Sequence, residues 1–217
     1  MKKGDITKEK ILVVAEELFS QKGFAGARVD EIAEISGVNK RLIYAHFNNK
    51  ENLYKNVLNR VYGRLVDMET SQDMTLSAEV VLKKHIENSF EFLYRNPNFI
   101  SLVMHENLNK AKYVDSSGIV PLKSKSITAL QNVLQKGIDD GIFRKDIDIN
   151  ETVFAINMFA FSYFSNTYTM PKLIKIDLND DDARQRRSTM VADMIISYLK
   201  NKWFYSRCLL YKYRDFL

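Results

Sequence analysis

The 217-residue chain has one cysteine, three prolines and eight glycines, and each scarcity removes a class of architecture. Cys208 alone cannot build an intrachain disulfide framework or a multi-cysteine metal site, so a reducing setting is expected. Few glycines and prolines argue against many short strands joined by tight turns, which leaves an all-α chain. No uninterrupted apolar run approaches the ~20 residues that cross a bilayer, and no secretory apolar core follows Met1. A cytoplasmic protein with no membrane span is therefore expected. Enzyme signatures are missing too: there is no G-x-S-x-G elbow, no phosphate-binding loop and no G-x-G-x-x-G. The three histidines, His46, His85 and His105, are not paired at a ligand spacing such as H-x3-H. No catalytic residue, metal or cofactor is expected.

What is present is a moderate positive charge, net +5 with a pI of about 9.1, which permits nucleic acid as a partner without demanding it. The charge is not concentrated near the N-terminus, where residues 1–50 hold nine Lys/Arg against seven Asp/Glu.

The informative stretch is Asp30 to Phe47, DEIAEISGVNKRLIYAHF, where Ala33, Gly37 and Ile43 stand in an A-x3-G-x5-I pattern. Gly37 supplies the positive φ of a tight turn, and small Ala33 lets a second helix approach the first. Ile32, Ile35, Val38 and Ile43 are expected to fill the wedge between them. Asn39 is placed to cap the second helix, which then presents Lys40, Arg41, Tyr44 and His46 outward. Such donor-rich side chains suit phosphates and base edges. The pattern predicts a DNA-binding helix-turn-helix over about 28–47; the plainer alternative is a helical hairpin inside an all-α protein.

Around it the periodicity predicts a first helix capped by Thr7, with Ile6 stapled to Ile11 and Gly23 at its end. Phe24 to Val29 reads as a connection. A long helix starts at Lys50, capped by Asn49, and runs to about Glu69. Further helices are expected over 78–95, 99–109, 121–140, 150–170 and 183–202, with 112–120 as a loop and Asp148 and Glu151 as a capping box. Phe154, Phe159, Phe161, Tyr163, Phe164 and Tyr168 spread around the 150–170 segment, which predicts burial on several sides.

Taken together, Thr7 to Phe19, Gly23-Phe24, Val29-Asp-Glu-Ile-Ala33, Gly37-Val38, Tyr44-Ala-His46-Phe47 and Lys50-Glu51-Asn52-Leu53 resemble the N-terminal domain of the TetR/AcrR transcriptional regulators, over about residues 6–58. The resemblance implies a three-helix DNA-binding domain, residues 1–50, followed by a larger helical ligand-binding and dimerisation domain, 51–202. It implies a homodimer in which the last two long helices pair with their copies in a four-helix bundle. Two positions depart from the family pattern. Arg28 stands where Ser or Thr usually caps the second helix, and Leu42 where a small or polar residue is common. Leu42 either meets a thymine methyl or packs inward.

The resulting expectation is a sequence-specific regulator, a repressor released from a palindromic operator by a small-molecule effector. Arg28, Lys40, Arg41, Tyr44, His46 and Lys50 are the expected DNA contacts. His105, Glu106, Phe159, Tyr163 and Asn166 are the candidates for lining an effector pocket. The alternative is a helical small-molecule-binding protein of the same fold without regulated DNA binding. An aromatic and basic extension, 203–217, is expected to pack on the protein in preference to anchoring at a membrane surface.

Overall fold

The computed structural model describes residues 3–176 and 181–200, so the 203–217 extension, Asp177 and Asp180 lie outside the described residues. Every regular element among them is helical: α1 (Lys3–Gly26), α2 (Val29–Ser36), α3 (Lys40–Phe47), α4 (Lys50–Thr70), α5 (Ala78–Arg95), α6 (Pro97–Leu108), α7 (Val114–Ser117), α8 (Ile119–Asp139), α9 (Ile149–Ser165), α10 (Met170–Ile174) and α11 (Asp181–Lys200). The described residues pack as two compact units, one of 3–68 with 92–126, the other of 69–91 with 127–176 and 181–200.

In the first unit, Ile11, Ala15, Leu18 and Phe19 of α1 recur at helical spacing and are buried with Ile32, Ile43, Phe47, Leu53, Tyr54 and Val57. Burial of these groups from water drives the assembly, and polar links fix its geometry. Glu16 of α1 takes a two-pronged pair from Arg64, at 3.0 and 2.7 Å, and a 3.2 Å contact from Arg60, both on α4. Those links carry the compact unit past residue 50, because α4 and α6 complete the core that α1 to α3 are too small to close. α6 is joined to α1 through Ser20, whose hydroxyl contacts Asn98 Oδ1 at 3.0 Å, and through Asn98 Nδ2, which donates to Glu17 at 2.9 Å.

Several local expectations need correction. α1 starts at Lys3, so Thr7 lies inside the helix and is not its cap, and Ile6 is 56% exposed instead of stapled to Ile11. Asp5 occupies the first turn, where the helix dipole favours a carboxylate. Gly23 does not end the helix but kinks it, with φ 65 and ψ 178, before a last turn to Gly26. The expected loop at 112–120 contains the short α7, and α8 begins at Ile119, which keeps Pro121 in its first turn.

The second unit buries Leu82, Ile86 and Phe90 of α5, Leu130, Val133 and Leu134 of α8, Val153, Ile156 and Ala160 of α9, and Val191, Ile195 and Leu199 of α11. Asp148 caps α9, accepting from the N–H groups of Asn150 at 2.9 Å and Glu151 at 3.1 Å. The helix stops at Ser165, five residues earlier than expected, and Pro171 falls in the first turn of α10. The expected burial of the 150–170 segment on several sides does not hold within the chain, since Phe154 is 62% exposed, Phe159 is exposed as well, and so is Tyr168 beyond the end of α9. Arg144, itself buried, fastens the end of α11: its backbone N–H reaches Leu199 O at 2.8 Å, its Nε reaches Tyr198 O at 3.1 Å, and its guanidinium lies 4.4 Å from the Tyr198 ring centre. Final-turn carbonyls have no partner within a helix, so this side chain supplies one.

Candidate nucleic-acid interface

The turn between α2 and α3 is built by residues that each solve a local problem. Gly37 adopts φ 65, ψ 22, a left-handed conformation that costs a residue with Cβ roughly 1–2 kcal/mol, and its N–H closes on Glu34 O at 3.3 Å. Ser36 is fully buried, and its hydroxyl accepts from Val38 N–H at 3.3 Å. Asn39 caps α3, its Oδ1 accepting from Leu42 N–H at 2.8 Å, and Asn49 caps α4 in the same way from Asn52 N–H at 2.7 Å. Ile32, Val38 and Ile43 fill the wedge; Ile35 does not, being 60% exposed. Ile35 is three residues on from Ile32, and the α2 face it occupies carries no part of the wedge.

With Ile43 and Phe47 buried, the opposite side of α3 is open, and helical spacing assigns it. Arg41 and Ala45 form the outermost ridge, Lys40 and Tyr44 one flank, Leu42 and His46 the other; all are exposed except the half-buried His46. Leu42, for which the sequence left an inward and an outward reading, points outward at 39% exposure. Lys40 is not a free cation. Its ammonium stands 2.8 Å from the Asp30 carboxylate of α2, and that hydrogen bond holds the Asp30 carboxyl below its ordinary value and raises Lys40. Sequence reading missed this pair because the partners are ten residues apart and meet only once the turn folds.

Arg28 occupies the cap position of α2 with no side-chain capping bond, as its chemistry predicts. Half of a capping box survives nevertheless: Glu31 is held low chiefly by Lys22, and it also accepts from the backbone N–H of Arg28. A Glu three residues past the cap is a legible signal of that contact. Lys50, the first residue of α4, is half-buried with its Nζ 4.7 Å from the centre of the Phe24 ring, and desolvation lowers its pKa.

The five pocket candidates do not share a site. Phe159, Tyr163 and Asn166 line one open cleft of about 390 Å³ in the second unit, with Met170, Met194 and Arg187. His105 and Glu106 belong to the first unit and are engaged there. His105 Nε2 meets Ser20 O at 3.1 Å, while the carboxylate of Glu106, 2% exposed, accepts from Tyr54 OH at 2.9 Å and from Tyr113 N–H at 3.1 Å. Both are therefore framework groups of the first unit, and the sequence offered no sign of it because their partners are distant along the chain.

Residues 11–57 match the sequence model of bacterial regulatory proteins of the tetR family, and residues 79–195, more than half of the chain, match the tetracyclin repressor-like C-terminal domain. The chain belongs to the tetR family. It is a DNA-binding transcriptional regulator, and the helix-turn-helix of α2 and α3 is its reading element. Similar proteins span 70–90% of it. The HTH-type transcriptional repressor NicS of Pseudomonas putida is 28% identical over 198 residues, 90% of this chain and 93% of that protein. The HTH-type transcriptional regulator QacR of Staphylococcus aureus is 24% identical over 176 residues, 70% of this chain and 94% of that protein. SCO4942 of Streptomyces coelicolor superposes with a TM-score of 0.69 at 25% identity, covering 87% of this chain and 97% of that one. Among the described residues no helix is long and apolar enough to cross a membrane.

Proposed function

We propose that the protein is a homodimeric repressor of the cytoplasm, without enzymatic activity, that leaves a palindromic operator when a small-molecule effector binds its second unit. The observation that carries the reading is the open face of α3 within a tetR-family chain. Arg41 and Lys40 take base edges or phosphates, and Tyr44 and His46 take phosphates. Lys50 at the start of α4 holds the flanking backbone, aided by a helix N-terminus, and Arg28 adds a phosphate contact at the start of α2. Leu42, pointing outward, is suited to a thymine methyl. Two such helices related by a two-fold axis require half-sites separated by ~10 bp or a multiple.

Dimerisation through α9 and α11 is supported by exposed apolar side chains at helical spacing: Phe154 and Met158 on the first, Met190, Met194 and Tyr198 on the second. The cleft lined by Phe159, Tyr163 and Asn166 is the candidate effector site. Apolar walls joined by Arg187, whose guanidinium lies 5.7 Å from the Tyr163 ring centre, suit an apolar molecule bearing a polar or anionic group. An effector releases DNA only to the extent that it binds the non-reading state better.

The test is titration of the protein onto a duplex from its own promoter at two salt concentrations. Specific retention that weakens with salt is expected, and substitution of Lys40 and Arg41 by Ala abolishes it. DNA affinity unchanged by that double substitution would favour a binding protein of the same fold that does not read DNA.

A further inference from the structure

The stretch from Leu108, the last residue of α6, to Lys112, just ahead of α7, overlaps the expected loop only at Lys112, and it is held in a fixed shape. All five residues are exposed, yet Lys110 and Ala111 take successive left-handed conformations, with φ 58 and φ 56. Non-glycine residues hold such geometry only where the surroundings over-determine it. Here they do. Ala111 N–H reaches Glu106 O at 2.7 Å and Lys110 N–H reaches Asn107 O at 3.1 Å. Tyr113, buried just beyond, is clamped by its N–H on Glu106 Oε2 at 3.1 Å, while the other carboxylate oxygen takes the Tyr54 hydroxyl of α4 at 2.9 Å. A buried carboxylate thus pins the loop to the first turns of α4.

The loop is pinned in line with Lys50. Lys50 Nζ lies 4.7 Å from the Phe24 ring centre, Phe24 is 4.7 Å from Tyr113, and Lys112 Nζ lies 5.1 Å from the Tyr113 ring. Lys50 and Lys112 therefore sit on consecutive rings of one aromatic row. Lys110 and Lys112 make no ion pair with a described residue, and the Glu51 carboxyl, one residue past Lys50, is held low first by its 2.7 Å pair with Lys55 and least by the Lys112 charge. A pre-set loop that displays two exposed lysines, with Lys112 on the aromatic row that carries Lys50, has one fitting partner already at hand in the proposed reading.

We propose that Lys110 and Lys112 of the α6–α7 loop form a second contact with DNA, gripping backbone phosphates that flank the half-site and lie beyond those held by Lys50. This rests on the DNA-binding reading of the chain. Lysine ammonium groups act here as point charges on phosphate, so the contact adds affinity and register without adding sequence preference.

The experiment measures operator affinity of the full chain across a series of salt concentrations for the parent, Lys112→Ala, Lys112→Arg and Lys172→Ala, the last removing equal charge from the second unit. Losing one phosphate contact per protomer of a dimer lowers the slope of log K against log salt by about 1.8, at about 0.9 per phosphate. That fall is expected for Lys112→Ala alone, with the arginine variant close to the parent, and trimming the flanking base pairs erases the difference. Thermal denaturation of each variant confirms equal folding. If the parent binds with a salt-dependent affinity but Lys112→Ala changes the slope no more than Lys172→Ala, the loop contact is refuted while DNA reading stands. If the parent shows no specific, salt-dependent retention, the DNA reading itself fails.

Discussion

Gly23→Ala is the most discriminating test of how α1 is shaped. Gly23 sits at φ 65, ψ 178, a region open essentially to glycine, and it bends α1 just where His105 of α6 packs against it. A side chain held there costs about 1–3 kcal/mol of backbone strain, offset by roughly 0.4–1 kcal/mol because alanine restricts the unfolded chain. A built Cβ would also lie 3.0 Å from His105 Nδ1 and 3.2 Å from Cε1, close enough that the ring must give way. The ring is tethered by its 3.1 Å contact with Ser20 O, so yielding weakens that bond, worth about 1 kcal/mol. The net expectation is destabilisation of about 1–3 kcal/mol, read as a lower urea midpoint at unchanged m-value. His105→Ala separates the two causes in a double-mutant cycle: in that background the contact disappears and only the backbone strain remains. Operator affinity should fall with stability, because the kink sets where the last turn of α1 delivers the chain to α2. A Gly23→Ala protein within about 0.5 kcal/mol of the parent, the scatter of ordinary surface substitutions, would refute the reasoning.

Gly137 supplies a second glycine test with the opposite expectation from helix propensity. An alanine inside α8 should gain up to about 1 kcal/mol, but its Cβ would fall 2.1 Å from the buried Phe143 ring, so Gly137→Ala is expected to destabilise by about 1–3 kcal/mol as overpacking does; a rise in the denaturation midpoint would contradict this. Asp30→Asn removes the carboxylate that holds Lys40 at 2.8 Å, frees a cation on the reading face, and should tighten operator binding at low salt, with weaker binding as the refuting result. Alkaline pH tests the core beside Glu106. Burial first, and then the Glu106 charge, push the Tyr62 phenol up to about 12. A raised native pKa favours the protonated form in the folded state, so this stabilisation is complete below pH ~10, the unfolded value, and is lost as pH rises through about 12. Tyr62→Phe should match the parent at neutral pH and lose less stability in alkaline titration, while Tyr54, raised further by burial and Glu106, keeps part of the decline. Identical alkaline profiles for parent and variant would remove Tyr62 from the account.

The helix-turn-helix was legible because its determinants are local. Gly37, Asn39 and Asn49 each satisfy a backbone requirement within three residues of themselves, and such requirements are written in adjacent letters. The failures share a different feature. Thr7 was read as a cap because a capping residue before an apolar run is a good local signal, but nothing local stops a helix from extending backwards through Gly4 and Asp5. His105 and Glu106 were assigned to a pocket because polar groups between apolar helical positions have two uses, and sequence spacing alone does not tell a cavity wall from a clamp. The clamp became visible only when Tyr54, 52 residues away, was found on the same carboxylate. Phe154 and its neighbours on α9 show the converse. Their apolar character was taken to require burial, yet the single chain leaves them open, so the expectation fails within this chain. A residue's hydrophobicity states that water must be excluded; it does not state which molecule excludes it. The open stripes of α9 and α11 are thus the part of the amino-acid pattern that the single chain leaves uncovered, and the proposed second copy is what accounts for them, as a second helix accounts for the clamp at Glu106.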